Sequence, residues 1–458
     1  MRVVICGAGQ VGYGIASYLS REDNDITVID TVPDLIAQVN DELDVNGIVG
    51  HASNPDILNA AGANDADMII AVTKSDEVNM VACQVAHSLF GVPKKIARIR
   101  EQSYLNPAWA NMFSRAHMPI DVIISPEIVI ARDIFQRLSV PGTTYVISLA
   151  EGKAFMVGVI CLPTCPILNT PVDQISKLFP DLSFRILSIL RNNKAMIPDP
   201  HDQIQAMDEV YFTVDAKHLR RTLAIFGHEE QKARNIVIAG GGNIGYGLAR
   251  LIRAHGQGEN IKIIESREER AHYLSEHLGD VIVLKGNGLD KDILSEAGIG
   301  TAETFVAVTN DDESNILSSL LAKQYGCSRT ITLVNNSVYS PLVGPLGVDA
   351  MVSPRATIVG TIMQHVRRGR IKGLHNLRDG FAEVIEAEVS SASSIVNTRI
   401  EELVLPEEVV LGALIRGDEV LMPEPGEFIR AGDIAIVMSS QRQAQTVERL
   451  FSVQVDLL

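Results

Sequence analysis

Over the first 130 residues, short apolar runs alternate with longer stretches in which apolar residues recur every three or four positions. The runs Arg2–Cys6, Ile26–Ile29, Ile48–Val49, Met68–Val72, Ile96–Ile99 and Val122–Ile124 are short, Val/Ile-rich and continuous, the pattern of buried strands. Between them, Gly12–Ser20, Pro33–Asn40 and Glu77–Phe90 follow the helical period. This alternation is that of βαβ units and predicts a parallel sheet with helices on both faces. After Ser125-Pro126 a further stretch is apolar on a period near 3.6, with Ser125 as N-cap and Pro126 at the first helical position. This helix follows the last strand, so two readings stay open: it covers its own sheet, or it leaves it and packs on a partner surface. From Thr143 to Phe226 the pattern changes to shorter alternating runs, YVISLAEG and DEVYFTV, broken by the turn cluster MIPDPHDQ. That predicts a small α+β domain.

The pattern then starts again. VVICGAGQVGYGIAS (Val3–Ser17) returns as IVIAGGGNIGYGLAR (Ile236–Arg250), and DVIISPEIVIARDI (Asp121–Ile134) as DAMVSPRATIVGTI (Asp349–Ile362). GHASNPDILNAAGANDADMIIAVTKSDEVN (Gly50–Asn79) returns as GNGLDKDILSEAGIGTAETFVAVTNDDESN (Gly286–Asn315). The back portion also recurs, with DEVYFTV and its turn cluster answered by DIAIVMS and MPEPGEF. Internal repetition of this length sets the architecture. The expected fold class is α/β, two tandem Rossmann-like parallel-sheet domains, each followed by a small α+β domain. The expected boundaries are 1–139, 140–228, 233–369 and 370–458.

Each copy opens on a glycine turn. Gly7, Ala8, Gly9, Gln10, Val11 and Gly12 form G-x-G-x-x-G between a strand and a helix. The first glycine permits the tight turn, the second lets backbone approach a pyrophosphate, and the third lets helix and strand pack closely. The helix N-terminus presents free N–H groups and partial positive charge to phosphate. Asp30 ends the next strand, where a carboxylate can accept from ribose hydroxyls and would repel a 2′-phosphate. The second copy keeps Gly240, Gly241, Gly242, Asn243, Ile244 and Gly245, with Glu265 as the acid. These features favour NAD(H) or an adenine nucleotide; the alternative is a retained fold whose turn binds nothing.

Ligands of such sheets lie beyond the carboxyl ends of the strands. His51, Ala52 and Ser53 end the third strand, near an expected adenine, and Thr73 and Lys74 end the fourth, near phosphate and ribose. Their counterparts are Asn287 with Gly288, and Thr309 with Asn310. Asp76 and Glu77, like Asp312 and Glu313, start helices, and the simple reading is capping and dipole pairing. Arg98 and Arg100 alternate at the end of the fifth strand, where they can reach terminal phosphates or form a surface ion pair; Leu333 and Asn335 replace them in the second copy. His51 has no acidic partner by spacing, so base contact or exposure suits it better than catalysis. Trp109 and the following FSRAHM are expected in core and interface rather than around a cofactor.

Composition narrows the function. The 458 residues carry 46% apolar and 21% charged side chains and a formal charge of −16. That is globular composition, and its negative charge argues against a nucleic-acid partner, because a phosphate backbone is repelled. The longest apolar or small-residue run, Ala154–Leu162, is about half of the ~18 residues that span a bilayer. Together with the absence of an apolar leader before the first strand, it points to a cytosolic protein with no direct membrane insertion. Cys6, Cys83, Cys161, Cys165 and Cys327 are an odd, sparse set, read as thiols without a disulfide framework or metal site.

CGAGQVGYGIA with ITVID, AVTKSDEVN and IARIR, repeated as GGGNIGYGLAR, IKIIE and VAVTNDDESN, resembles the RCK (KTN) family. The resemblance covers essentially the whole chain, in particular the cytosolic regulatory subunits of bacterial Trk-type potassium uptake. It implies a homotetrameric gating ring beneath a membrane potassium channel subunit of the TrkH or TrkG type, binding NAD(H) and ATP or ADP. It implies a first site at Gly7–Gly12, Asp30, His51–Ser53, Thr73, Lys74 and Arg98, with Arg100. The second site is Gly240–Gly245, Glu265, Asn287–Gly288 and Thr309. Family members commonly carry an aspartate where this chain has His51 and Asn287, so the resemblance sets neither site's nucleotide preference. The rival class is an NAD-dependent oxidoreductase, which would need an acid–base residue and a substrate clamp in the small domains. Neither small domain offers such a constellation, and no helix-turn-helix segment supports a nucleotide-sensing transcription factor.

Overall fold

The computed structural model describes residues 1–21, 24–192, 194–256, 258–366, 371–377 and 382–451. The first sheet comprises β1 (Arg2–Cys6), β2 (Asp25–Asp30), β3 (Asn46–Val49), β4 (Met68–Ala71), β5 (Lys94–Arg98) and β6 (Val122–Ile124). The order is β3-β2-β1-β4-β5-β6 and all pairs are parallel. Helices α1 (Gln10–Leu19), α2 (Pro33–Glu42), α3 (Pro55–Ala60), α4 (Asp76–Phe90) and α5 (Pro126–Ser139) follow in chain order. All of β4 and all of β1 beyond Arg2 are buried. Strands covered on both faces need apolar side chains on both, which is why these runs do not alternate. Strand order reverses between β1 and β4, and such a switch point opens a crevice at the carboxyl ends of the strands. The strands Asn235–Ala239, Asn260–Glu265, Ile282–Lys285, Thr304–Ala307, Arg329–Leu333 and Ala350–Val352 repeat the same order.

Each parallel sheet is followed by a five-stranded antiparallel sheet. In the first of these, strand Glu209–Asp215 is buried at every position. Val210, Phe212 and Val214 face one apolar core, where the Phe212 and Phe226 rings stack at 4.7 Å. Tyr211 faces a second core shared with Val384, Ala413 and Ile436 of the second small sheet. The Thr213 hydroxyl donates to the Gly412 carbonyl there (2.9 Å). Packing sheet on sheet buries both faces, so the polar half of the usual alternation is reduced to a few satisfied hydroxyls.

The described residues divide into two compact bodies: Met1–Val129 with Pro354–Arg367, and Ile130–Ser353 with Arg368–Leu458. The helices after the last strand of each parallel sheet are exchanged between these bodies. In the first body, helix Pro354–Val366 lies on α1. A Cβ added to Gly14 would come within 2.9 Å of Val359, and the Lys94 ammonium donates to the His365 carbonyl. In the second body, Ala131 faces Gly247, the Phe135 ring meets His255 at 5.7 Å, and Arg329 donates to the Arg137 and Thr143 carbonyls (2.9 and 2.8 Å). Of the two readings of α5, the structure thus has the one in which the helix leaves its own sheet. Of the expected core group, Phe113 and Met118 pack against the core, while Trp109 lies outside it, 60% exposed on the segment Pro107–Phe113.

Candidate functional site

Gly7 has φ +109°, a backbone region that other residues avoid, and its amide donates to the Ile29 carbonyl (2.7 Å). A Cβ on Gly12 would lie 1.7 Å from the Gly7 carbonyl oxygen, so the helix can meet the turn only through glycine. Among the described residues, no group comes within 4 Å of the Cβ position of Gly9, which faces open space. Val11 is buried and Gln10 exposed. The first turn of α1 carries no acid and Gly9 supplies no side-chain cap, leaving the first amides and the positive end of the helix dipole uncompensated. The Asp30 carboxylate accepts from the Ala8 amide (2.7 Å) and the Val32 amide (2.9 Å). It therefore holds the turn in shape and still has lone pairs for a further donor.

The second turn repeats this. Gly240 has φ +109°, a Cβ on Gly245 would lie 2.0 Å from the Gly240 oxygen, and Gly242 faces open space. Asn243 is exposed and Ile244 half-buried at the head of helix Asn243–His255, which again lacks a cap and a first-turn acid. Glu265 accepts from the Gly241 amide (2.9 Å) and the Arg267 amide (2.9 Å). Leu274 chiefly occupies the space of the Ala8 methyl: a Cβ on Gly241 would meet the Leu274 Cδ1 at 2.3 Å and the Glu265 carboxylate at 3.0 Å.

Beyond the fourth strand, Asn79 organises the floor of the first site. Its Oδ1 accepts from the Thr73 amide (2.9 Å) and hydroxyl (2.7 Å), and its Nδ2 donates to the carbonyls of Thr73 (3.2 Å) and Arg98 (2.9 Å). Asn315 makes the same four bonds to Thr309 and Leu333. Sequence reasoning assigned neither asparagine a role; the recurring six-residue spacing from Thr73 and Thr309 was the available signal. Capping falls to Ser75 and Asp311, which accept from Val78 and Ser314. Asp76 instead accepts from the amides of Arg100 (2.9 Å) and Glu101 (2.8 Å), tying the head of α4 to the loop after β5. Asp312 does likewise with Asn335 and Asn336. The capping half of that reading is corrected accordingly; the dipole half holds, since Asp76, Glu77, Asp312 and Glu313 all stand in the first turn of their helices.

His51 is exposed, with Nδ1 2.8 Å from the Ser53 hydroxyl, while Ala52 is buried. Asn287 is exposed and accepts from the Leu289 amide (3.0 Å), and Gly288 lies where a Cβ would be 3.2 Å from Ala239. Lys74 is exposed, and Thr309 is half-buried. The two arginines after the fifth strand separate. Arg98 turns toward the turn side and donates to the Thr73 carbonyl (2.5 Å); its Nε is buried without a partner. Burial, with Arg100 nearby, pulls its pKa below the usual guanidinium value. A half-buried cation with an unmet donor suits an anion. Arg100 is exposed and ion-paired with Glu127 (2.8 Å). In the second copy the cation comes from elsewhere: Arg270, aligned with Leu35, donates to the Gly241 carbonyl (2.7 Å) and stands 4.7 Å from the Tyr273 ring centroid.

Comparison with known proteins decides the family. Residues 3–126 and 236–354 match the TrkA-N domain, and residues 156–227 and 384–452 the TrkA-C domain. The chain is 47% identical over 456 residues to the Trk system potassium uptake protein TrkA of Azorhizobium caulinodans, covering 100% of both. It is 39% identical to that of Halomonas elongata, covering 99% of each. The chain belongs to the TrkA family. The structure of the GsuK channel bound to NAD superposes with a TM-score of 0.59 at 16% identity, over 98% of this chain and 78% of that one, a likeness of fold. The TrkA-family architecture thus accounts for both halves.

All five cysteines of this TrkA-family chain are buried and reduced. Cys161 and Cys165 are close enough to hydrogen-bond, which pulls the Cys165 thiol down and pushes Cys161 up. Among the described residues, no helix is long and apolar enough to cross a membrane.

Proposed function

We propose that this chain is a nucleotide-sensing regulatory subunit: four copies form a cytosolic gating ring on a membrane potassium channel subunit of the TrkH or TrkG type, and the ring controls potassium uptake. NAD(H) and ATP or ADP are its ligands, and it regulates rather than catalyses. The first site uses Gly7–Gly12, Asp30, His51–Ser53, Thr73, Lys74 and Arg98, with Arg100 at its edge. The second uses Gly240–Gly245, Glu265, Asn287–Gly288 and Thr309. Within each half, the segments 1–139 and 233–369 carry these sites, and 140–228 and 370–458 carry the small sheets.

One observation carries this reading. Two glycine turns share a backbone conformation, an uncapped helix N-terminus and an acid that holds the turn, yet differ in where their cations stand. A pyrophosphate would lie against the Gly9 and Gly242 faces, with ribose toward Asp30 or Glu265. Two such sites of unequal charge suit a device that compares nucleotides. A ligand shifts the ring only through unequal affinity for its two shapes.

The test uses the open face of each turn. Gly9 and Gly242 have φ −66° and −63° and open space beyond their Cβ positions, so aspartate fits both without strain. Gly9→Asp should weaken binding at the first site by ~100-fold, about 2.7 kcal/mol, with unchanged melting temperature. Gly242→Asp should do the same at the second. Calorimetric titration with NADH, ADP and ATP reads both; unchanged binding in both variants would sink the nucleotide reading. Steady NADH oxidation with any substrate would overturn the regulatory one.

A further inference from the structure

We propose that this chain carries a third ligand site, apart from both glycine turns, in the cavity along the segment that connects its two halves. Its ligand is a small soluble phosphate monoester with an apolar or planar body.

The cavity has a volume of about 770 Å³, within the range of sites that enclose small organic ligands. All of its lining residues belong to the second body. Its apolar wall comes from two places: Val140 and Pro141, just after α5, and Leu219, Leu223 and Ala224 of helix Leu219–Ile225. Leu219 and Leu223 are anchored in the core of the first small sheet, so the fold holds this wall in place.

Four cations line the same cavity: Arg220 and Arg221 from that helix, and Lys232 and Arg234 from the connecting segment. All four are exposed, and among the described residues no side chain of the four has a hydrogen bond or ion pair. Elsewhere in the chain Arg137, Arg191 and Arg416 each pair with an aspartate. The repeat shows that the fold does not need cations here, because Gln445 and Thr446 stand where the first copy has Arg220 and Arg221. In a chain of formal charge −16, such a cluster is a local reversal of sign that draws an anion.

The acids of the cavity do not cancel it. Glu230 Oε1 lies 3.1 Å from Nδ1 of His228, whose Nε2 lies 2.9 Å from the Ile160 carbonyl oxygen. Both partners are acceptors, so both ring nitrogens donate and His228 is an imidazolium. Burial opposes that charge, yet the Glu230 carboxylate and the Ile160 carbonyl hold the His228 pKa above the usual histidine value. The charge of Glu230 is thereby met. Glu259 is folded back on Gly256, where a Cβ would lie 2.0 Å from its Oε2. Four cations therefore face two remaining carboxylates, Glu229 and Glu259. A phosphate monoester carries about −1.5 to −2 at pH 7 on three acceptor oxygens, which suits paired guanidiniums better than a single carboxylate does.

The experiment uses full-length protein carrying Gly9→Asp and Gly242→Asp, so that neither turn competes. It reads the fluorescence polarisation of 4-methylumbelliferyl phosphate near neutral pH. The ester should bind about tenfold more tightly than 4-methylumbelliferone, which lacks the phosphate, or inorganic phosphate, which lacks the body. Arg221→Glu and Lys232→Glu should each weaken the ester by about tenfold with unchanged melting temperature, since both side chains are exposed. Ala224→Trp, which fills the cavity, should abolish binding. No binding of the ester, or an affinity no better than that of either part alone, would overturn the proposal. So would charge reversals that leave the affinity unchanged. None of these outcomes depends on whether the glycine turns bind nucleotides.

Discussion

The two glycine turns have the same backbone and different surroundings. Both start at φ +109°, both close through a third glycine against the first carbonyl, and both hang on an acid from the next strand. Around that shared core, the first turn takes its cation from the fifth strand (Arg98) and the second from the helix after the second strand (Arg270), where the first has Leu35. The difference teaches that duplication preserved the backbone of the turn and the acid that holds it, and let the surrounding cations change place.

The strongest way to break that equivalence is to ask both third glycines for a side chain. Gly12→Ala and Gly245→Ala each push a methyl to within 1.7 and 2.0 Å of a backbone oxygen, which no rotamer relieves. Each should cost about 4 kcal/mol, the upper range for a point substitution, with Gly12→Ala the larger. Denaturant unfolding reads both, and a tolerated Gly245→Ala would show that the second turn is not built like the first.

Next comes the asparagine pair. Asn79 and Asn315 are fully buried, and Asn79→Ala and Asn315→Ala each strand a threonine amide and the carbonyl of the fifth strand, while the threonine hydroxyl keeps its bond to the Ser75 or Asp311 carbonyl. Leaving buried partners unmet costs about 1–3 kcal/mol, so both variants should lose about 2–3 kcal/mol, within ~1 kcal/mol of each other. A wider gap in chemical denaturation would separate sites that the hydrogen bonds make alike.

Much of this was legible in the sequence because the turns and strands are dictated locally. The glycine spacing, the acids Asp30 and Glu265 and the six-strand rhythm all follow from short-range sterics and periodicity. What stayed hidden depends on contacts far apart in sequence. Asn79 looks like any polar residue of a helix until its partners across β4 and β5 are known. Asp76 looks like a cap until the loop after β5 is seen on it. Exchange of helix Pro354–Val366 depends on which surface a helix prefers, a long-range packing choice that hydrophobic periodicity records for neither partner. Trp109 sits in the apolar segment PAWANMF, and only the fold shows that Leu105 and Phe113 reach the core while the indole stays outside it.

The smallest effect gives the sharpest comparison. In the first copy the turn residue, the acid and the buried aliphatic of the next helix are Ala8, Asp30 and Val39; in the second they are Gly241, Glu265 and Leu274. The methyl missing at Gly241 is matched by a methylene gained at each of the other two positions. Leu274 is fully buried, so its methyl cannot swing into solvent when a Cβ at position 241 arrives 2.3 Å away. Gly241→Ala should therefore overpack the site and cost about 1–2 kcal/mol, while Ala8→Gly, which only removes a methyl, should cost ~1 kcal/mol or less through backbone entropy. If volume is what the two copies conserve, Gly241→Ala should cost less in a Leu274→Val background than alone, and adding Glu265→Asp should lower the cost again. A double-mutant cycle read by thermal unfolding measures that coupling. Additive losses would mean that the three positions vary independently, and that the resemblance between the turns stops at the backbone.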